Sequence, residues 1–78
     1  MIEKIEQFIK NNLGLVKSES ISIDTNLYGH GLDSIRIIRL IAFLEEEFGI
    51  QSLSNGFDVK ELSTIQAIGN LVARYEKR

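Results

Sequence analysis

The 78-residue sequence contains no cysteine, no proline and no tryptophan, and its single histidine is His30. Without cysteine, the chain can form no disulfide, no thiolate zinc site and no cysteine nucleophile. A lone histidine without companion ligands also predicts no metal site. The fold must therefore be stabilised by packing of the apolar residues, which make up 44% of the sequence.

Long apolar runs and an excess of positive charge are also missing. The longest apolar run, residues 40–44, is far shorter than the roughly 20 residues that a membrane-spanning helix needs. Met1 is not followed by the basic start and apolar region of a signal peptide. The net charge of −2 offers nucleic-acid phosphate no overall attraction. We therefore expect a cytoplasmic monomer that binds neither nucleic acid nor membrane, folded as a single domain over residues 1–78.

Apolar residues spaced three and four apart predict a first amphipathic helix over residues 2–13, and Asn11, Asn12 and Gly14 provide its end. No helical period follows from residue 14 to residue 33. Polar and apolar residues alternate over residues 20–23, which would also fit a short strand. No partner strand is nearby, so we predict a loop. Apolar residues of the loop are expected to pin it to the core: Leu15, Val16, Ile21, Ile23 and Leu27.

A second helix is predicted to begin at Asp33 or Ser34 and to end near Phe48, because Gly49 suits the position after a last helical turn.

The C-terminal third of the chain predicts one short and one long helix. Asp58 can cap a single turn that runs to Leu62. Ser63 and Gln66 then form a capping box for the last helix. The expected fold is all-α: a small four-helix bundle of three main helices plus one short helix, with a long loop between helices 1 and 2. The apolar stripe of the last helix comprises Ile65, Ile68, Leu71, Val72 and Tyr75.

The second helix carries two apolar groups instead of one. Ile35, Ile38 and Ala42 form a group well over a quarter-turn away from the core face; we expect Ile35 and Ala42 to be exposed, while Ile38 fits either environment. An exposed apolar strip flanked by charge is typical of a partner-docking surface. Phe43 lies on neither face and could anchor the loop or a partner. The expected core face consists of Ile37, Leu40, Ile41, Leu44 and Phe48.

The charges of this helix oppose its dipole. Arg36 and Arg39 lie in the early turns and residues 45–47 are glutamates near the end. Each misplaced exposed charge costs between a few tenths and about 1 kcal/mol. Arg36 and Arg39 also repel each other as i,i+3 neighbours. Such violations tend to mark functional surfaces, although a solvated face tolerates losses of this size.

Ser34 stands at the start of the second helix, where free backbone N–H groups favour an anion such as a phosphate ester. Asp33 can cap the helix and release the Ser34 hydroxyl, Gly31 allows a tight turn, and Arg36 could balance the added charge. The simpler alternative is that Asp33 and Ser34 only cap the helix.

A hydrolytic or other catalytic role is disfavoured. Ser34 lacks a G-x-S-x-G elbow, and His30 in a Gly-His-Gly segment is the only histidine that could act as its base. The glutamates at residues 45–47 point in successive directions and form no acid/base pair. We therefore expect a protein that is not an enzyme.

The segment GLDSI at residues 31–35, preceded by Asp24 and Leu27 and followed by LEEEFGI at residues 44–50, closely resembles the acyl carrier protein family. The helix order, the long loop and the capped last helix that begins with STIQAI at residues 63–68 are also similar to that family. The resemblance extends over nearly the whole chain.

This resemblance implies that Ser34 carries 4′-phosphopantetheine through a phosphodiester, added by a magnesium-using phosphopantetheinyl transferase, with Gly31 and Asp33 forming part of the attachment site. The terminal thiol would hold an acyl or aminoacyl thioester for loading and condensing enzymes, so that the chain itself performs no chemistry. Partners would dock on the second helix, where Asp33 and Ile35 would contact the transferase. The expected partner-binding residues are Ile35, Arg36, Ile38, Arg39, Ala42, Glu45 and Glu46.

The sequence departs from fatty-acid carriers of this family, whose docking helix is mainly acidic, at Arg36 and Arg39, and also at Tyr28 and His30. Its mixed surface is similar to that of discrete peptidyl, aryl and specialised carriers. Electrostatic mismatch suppresses wrong partners, so we expect a dedicated biosynthetic pathway. The alternative is a helical protein-interaction module without a prosthetic arm, which binds through the apolar strip.

Overall fold

The computed structural model of the chain describes residues 1–50 and 56–76. These residues form three α-helices, which we name α1 (Ile2–Asn12), α2 (Ser34–Phe48) and α3 (Ile65–Glu76). No strand occurs in the described ranges. The predicted all-α class is therefore confirmed. Short 3₁₀ helices lie at Ser18–Ser20, Leu27–His30 and Val59–Leu62.

The ends of α1 and α2 follow local sequence signals. Gly14, just beyond α1, and Gly49, which ends α2, take left-handed backbone angles, with φ of +73° and +68°. A glycine adopts this conformation without steric cost and stops the helix there. The Asp33 side chain accepts a hydrogen bond from the Arg36 N–H and caps the start of α2. These boundaries agree with the prediction.

The start of α3 was predicted at the wrong residue. The Ser63 hydroxyl donates to the Lys60 carbonyl oxygen (2.7 Å), and the Thr64 Oγ1 accepts from the Ala67 N–H (2.9 Å). Thr64 is therefore the capping residue, because Ser63 closes the preceding 3₁₀ turn, which Asp58 caps as predicted. The capping box of Ser63 and Gln66 does not form.

The core is apolar throughout the described residues, with no buried polar or charged side chain among them. The predicted face of α2 is confirmed in Leu40, Ile41 and Leu44, which are buried, while Ile37 and Phe48 are half-buried. In α3 the predicted stripe is buried except for the half-buried Tyr75. Phe43, which the helical wheel assigned to neither face, stacks on Phe8 of α1.

The long loop between α1 and α2 is held partly by side chains and partly by backbone. Leu15, Ile21 and Leu27 are buried as predicted. Val16 and Ile23 are 61% and 44% exposed, so their predicted burial is wrong. Their backbones hold the loop instead: the Val16 N–H donates to the His30 carbonyl oxygen, and the Ile23 carbonyl oxygen accepts from the Gln66 N–H.

Candidate functional site

The chain approaches α2 through a tight turn at Gly31. Gly31 ends the 3₁₀ helix Leu27–His30 with φ of +96°, a left-handed conformation that favours glycine, as expected from the sequence. Leu32 is then buried and fixes the chain against the core. The next two residues, Asp33 and Ser34, are exposed. A buried leucine thus anchors the segment that presents Ser34 at the surface.

Asp33 takes the capping role at this helix start. Its Oδ1 accepts a hydrogen bond from the Arg36 backbone N–H at 3.0 Å, and its Oδ2 lies 3.0 Å from the Arg36 Nη1. The backbone hydrogen bond from Arg36, followed by the charge of its guanidinium, holds the pKa of the Asp33 carboxyl below its usual value. Asp33 is therefore an ionised cap, as expected at the positive end of a helix.

Ser34 is the first residue of α2, and its side chain is exposed. Its hydroxyl makes no hydrogen bond to any residue of the ranges 1–50 and 56–76. The Arg36 and Ile37 N–H groups bond to Asp33, whereas those of Ser34 and Ile35 have no acceptor in the described part of the chain. Such free donors at a helix start suit a phosphate group. The residues present therefore fit a phosphodiester on Ser34.

The loop next to this site is fixed by two residues whose roles the sequence did not indicate. The His30 Nδ1 lies 2.7 Å from the Val16 carbonyl oxygen, and the Val16 N–H donates to the His30 carbonyl oxygen at 2.9 Å. The Tyr28 hydroxyl donates to the Val59 carbonyl oxygen at 2.7 Å. These partners lie 14 and 31 residues away along the chain, so no local spacing could have identified them.

The predicted partner-binding residues fall into separate groups. Ile35 and Ile38 are 64% and 67% exposed, and Ala42 is also exposed, so the apolar strip faces solvent. Arg36 instead turns towards the end of α1, where its Nε donates to the Leu13 carbonyl oxygen at 3.1 Å. Glu45 is half-buried.

The remaining two partner-binding candidates, Arg39 and Glu46, belong to an open surface depression between α1 and α2. Its volume is about 400 Å³. Ala42 is one of its lining residues and also belongs to the apolar strip. The lining residues are Phe8, Asn12, Arg39, Ala42, Phe43 and Glu46.

The described part of the chain has neither a cluster of metal ligands nor a membrane-spanning helix. No group of three or more His, Asp or Glu side chains among these residues is placed to hold a metal ion. None of the helices described is both long and apolar enough to cross a bilayer.

Comparison with known proteins identifies relatives over most of the chain. The family model described as "Phosphopantetheine attachment site" matches residues 3–73. The chain is 30% identical over 71 residues to acyl carrier protein 5, chloroplastic, of Arabidopsis thaliana. This match covers 91% of this chain and 50% of the Arabidopsis protein. It is 27% identical over 71 residues to the chloroplastic acyl carrier protein of Brassica napus. This match covers 91% of this chain and 52% of the Brassica protein.

A bacterial relative matches over nearly its whole length. The acyl carrier protein of Buchnera aphidicola is 27% identical over 73 residues, which are 94% of this chain and 91% of that protein. By contrast, the chain spans about half the length of the two plant relatives. No solved structure gives a significant match.

The helical fold, the free donors at the start of α2 and the match over residues 3–73 agree with one another. The chain therefore belongs to the phosphopantetheine-attachment-site family, as a carrier of the acyl carrier protein type that holds 4′-phosphopantetheine covalently.

Proposed function

We propose that Ser34 is the residue that carries the 4′-phosphopantetheine arm, and that residues 1–78 act as one carrier domain. The main support is the state of the Ser34 hydroxyl, which is exposed and not hydrogen-bonded within the described part of the chain. Asp33 caps α2, so the Ser34 hydroxyl is not needed as the cap. The hydroxyl is therefore available to an incoming transferase.

The attachment requires little from the chain beyond a positioned nucleophile. The Ser34 Oγ forms a bond to a phosphorus atom of the phosphopantetheinyl donor, the bond from that phosphorus to the donor's leaving group breaks, and the serine proton passes to a base of the transferase. The free N–H groups of Ser34 and Ile35 stabilise the resulting anionic phosphodiester. The transferase supplies the magnesium and the base. When bound, the arm supplies a thiol that forms thioesters with acyl or aminoacyl cargo.

The chain is proposed to be a carrier and not an enzyme. The one histidine, His30, is hydrogen-bonded through Nδ1 to the Val16 carbonyl oxygen and stabilises the loop. We also propose that the protein is a monomer and that it is located in the cytoplasm. Size-exclusion chromatography and cell fractionation test them.

Ser34→Ala separates the carrier from the alternative of an arm-free interaction module. Wild type, Ser34→Ala and Ser20→Ala are each coexpressed with a broad-specificity phosphopantetheinyl transferase and their intact masses are compared. Ser20 is a matched control because it is also exposed, and its hydroxyl donates to the Lys17 carbonyl oxygen. We expect one phosphopantetheinyl group on wild type and on Ser20→Ala, and none on Ser34→Ala. A wild type that gains no group would favour the interaction module.

We further propose that the carrier serves a dedicated biosynthetic pathway. The support is Arg39, an exposed cation that lines the α1/α2 depression. A partner that recognises an acidic helix would meet this like-signed charge, and such juxtaposition disfavours binding. The arm-bearing protein should therefore be a poor substrate for a malonyl-loading enzyme of fatty-acid synthesis, and Arg39→Glu should improve its loading. Efficient loading of the wild type would contradict the dedicated pathway.

A further inference from the structure

Two arginines one turn apart on α2 have different surroundings. Arg39 is exposed, whereas Arg36 is half-buried and directed towards α1. The Arg36 Nε donates to the Leu13 carbonyl oxygen at 3.1 Å, and its Nη1 lies 3.0 Å from the Asp33 Oδ2. The guanidinium of Arg36 thus connects the residue that ends α1 with the residue that caps α2.

Each of these contacts satisfies a group at a helix end. Leu13 follows the last turn of α1, where carbonyl oxygens lack helical partners and a cation is favourable. The guanidinium also lies beside Gly14, where a Cβ would be 3.7 Å from the Arg36 Nη2, an ordinary van der Waals distance. Asp33 lies at the start of α2, where an anion is favourable. One side chain therefore joins two helix ends of opposite polarity.

The same residue binds both oxygens of the Asp33 carboxylate. The Arg36 backbone N–H bonds to Oδ1 and its Nη1 bonds to Oδ2, so the carboxylate is fixed in the orientation of a cap. The adjacent Ser34 hydroxyl could act as a local donor to such a carboxylate, but it makes no hydrogen bond to Asp33. Arg36 thereby affects the state of the Ser34 hydroxyl without contact with it.

We propose that Arg36 is a positioning residue of the attachment site. It holds the Asp33 carboxylate in the capping geometry, ties the start of α2 to the end of α1, and so keeps the Ser34 hydroxyl free and fixed in place for the transferase. This assigns Arg36 a role inside the site, in place of the partner-reading role expected from the sequence. The inference rests on the proposed attachment at Ser34.

The effect of Arg36 is expected in the rate of modification more than in stability. The ion pair with Asp33 is 35% exposed on the arginine side and 53% on the aspartate side, and such pairs add little to the free energy of unfolding. Misplacement of a reacting group by about 1 Å can reduce a rate by about 100-fold. A looser helix start should therefore lower the transfer rate in a protein that remains folded.

The test compares Arg36→Gln and Arg36→Lys with Lys4→Gln. Lys4→Gln is the matched control, because Lys4 forms another ion pair between α1 and α2, with Glu47 at 2.7 Å, away from Ser34. Transfer kinetics on each apo protein give kcat and KM for the transferase. We expect Arg36→Gln to lower kcat about tenfold with little change in KM. A tenfold loss is smaller than the roughly 100-fold loss that a misplacement of about 1 Å can cause. Lys4→Gln should match wild type.

Arg36→Lys keeps the charge but not the two-sided geometry of the guanidinium, so its kcat should lie between those of wild type and Arg36→Gln. A second readout is independent of transfer: NMR titration of the Asp33 carboxyl. Its pKa should rise towards the ordinary value in Arg36→Gln, which loses the guanidinium, and should not change in Lys4→Gln.

The possible failures can be told apart. If wild type is modified normally and Arg36→Gln retains both the wild-type kcat and the wild-type titration of Asp33, the positioning role of Arg36 is wrong. An equal loss of kcat in Lys4→Gln would also overturn it, because the effect would then follow from any weakened contact between α1 and α2. If wild type itself accepts no group on Ser34, the attachment fails and the inference fails with it.

Discussion

The ring of Phe43 on α2 stacks on the ring of Phe8 on α1, with centroids 4.1 Å apart and ring planes inclined by 11°. Phe48 meets Phe43 edge-on at 6.2 Å and 88°. The stack of Phe8 on Phe43 joins α1 to α2, and both of these rings line the surface depression. Aromatic pairs contribute about 0.5–1.5 kcal/mol beyond the burial of their area.

We expect Phe43→Ala to lower the free energy of unfolding by about 2 kcal/mol, less than the roughly 3–5 kcal/mol typical of a fully buried phenylalanine, because Phe43 is half-buried. Urea unfolding of wild type, Phe8→Ala, Phe43→Ala and the double variant should give a coupling energy of about 1 kcal/mol. Additive losses from the two substitutions would show that the rings do not stabilise the fold as a pair.

Gly69 lies in the middle of α3 at the contact with α1, where an added Cβ would collide with the Cδ1 of Ile2. An interior helical glycine costs about 0.5–1 kcal/mol relative to alanine. In wild type, the end of the Ile2 side chain must shift to admit the new methyl group, so we expect Gly69→Ala to stabilise by less than this amount. In an Ile2→Ala background the same change should stabilise by about 0.5–1 kcal/mol. Thermal unfolding of the four proteins measures the difference, and an equal effect in both backgrounds would refute the contact.

Tyr28 provides a test at alkaline pH. Its hydroxyl donates to the Val59 carbonyl oxygen, and burial, helped by the charge of Asp58, raises the pKa of the phenol above its ordinary value of 10.0. A raised pKa in the folded state contributes stability that is fully present below the unfolded pKa and is lost as the pH rises through the folded pKa. Wild type should therefore lose more stability than Tyr28→Phe as the pH rises above about 10.

At neutral pH, Tyr28→Phe should cost about 1 kcal/mol through the lost hydrogen bond. Lys4, whose hydrogen bond to Glu47 raises its pKa, also titrates at alkaline pH. It is present in both proteins, so their difference isolates Tyr28. Parallel stability curves for the two proteins between pH 8 and pH 11 would contradict this assignment.

A substitution at Ile38 tests whether partners dock on the apolar strip. Ile38 has 67% of its surface exposed, so Ile38→Glu should leave the melting temperature within about 4 °C of wild type, as is usual for surface changes. Loss of an apolar contact at an interface should raise the transferase KM about tenfold, which corresponds to about 1.4 kcal/mol. The control is Ile23→Glu, an exposed isoleucine in the loop. An unchanged KM for Ile38→Glu, or an equal rise for Ile23→Glu, would count against the strip as the docking surface.

Much of the fold follows from signals that lie within one helix. Periodicity fixes the buried faces of α2 and α3, and Asp33 and Gly49 mark the ends of α2 because a cap and a left-handed glycine act on their own helix. These predictions needed no knowledge of the neighbouring elements.

The incorrect predictions concern contacts that residue type and helical period alone do not determine. Ser63 and Thr64 are equally suitable caps by residue type, and the preceding 3₁₀ turn decides between them. Val16 and Ile23 are apolar but exposed, because their backbones and not their side chains hold the loop. The partner of Phe43 depends on where α1 lies, which a helical wheel of α2 does not contain.

In the candidate site, too, some features are determined by adjacent residues and others by distant ones. The Asp33 cap and the positive φ of Gly31 could be predicted from adjacent residues. The direction of the Arg36 side chain could not, because it is set by the Leu13 carbonyl oxygen, 23 residues earlier in the chain. Sequence patterns alone therefore place Arg36 on the docking surface, whereas its contacts with Leu13 and Asp33 are the basis of the positioning role that we propose for it.

The most direct test of the proposed function is to map the modified residue. Trypsin cleavage after Lys17 and Arg36 releases residues 18–36, a peptide that contains Ser34 together with Ser18, Ser20 and Ser22. Tandem mass spectrometry of this peptide from the transferase-treated protein should place the phosphopantetheinyl mass on fragments that contain Ser34 and on none that end before it. A mass increment on one of the loop serines, or on another peptide, would contradict the account.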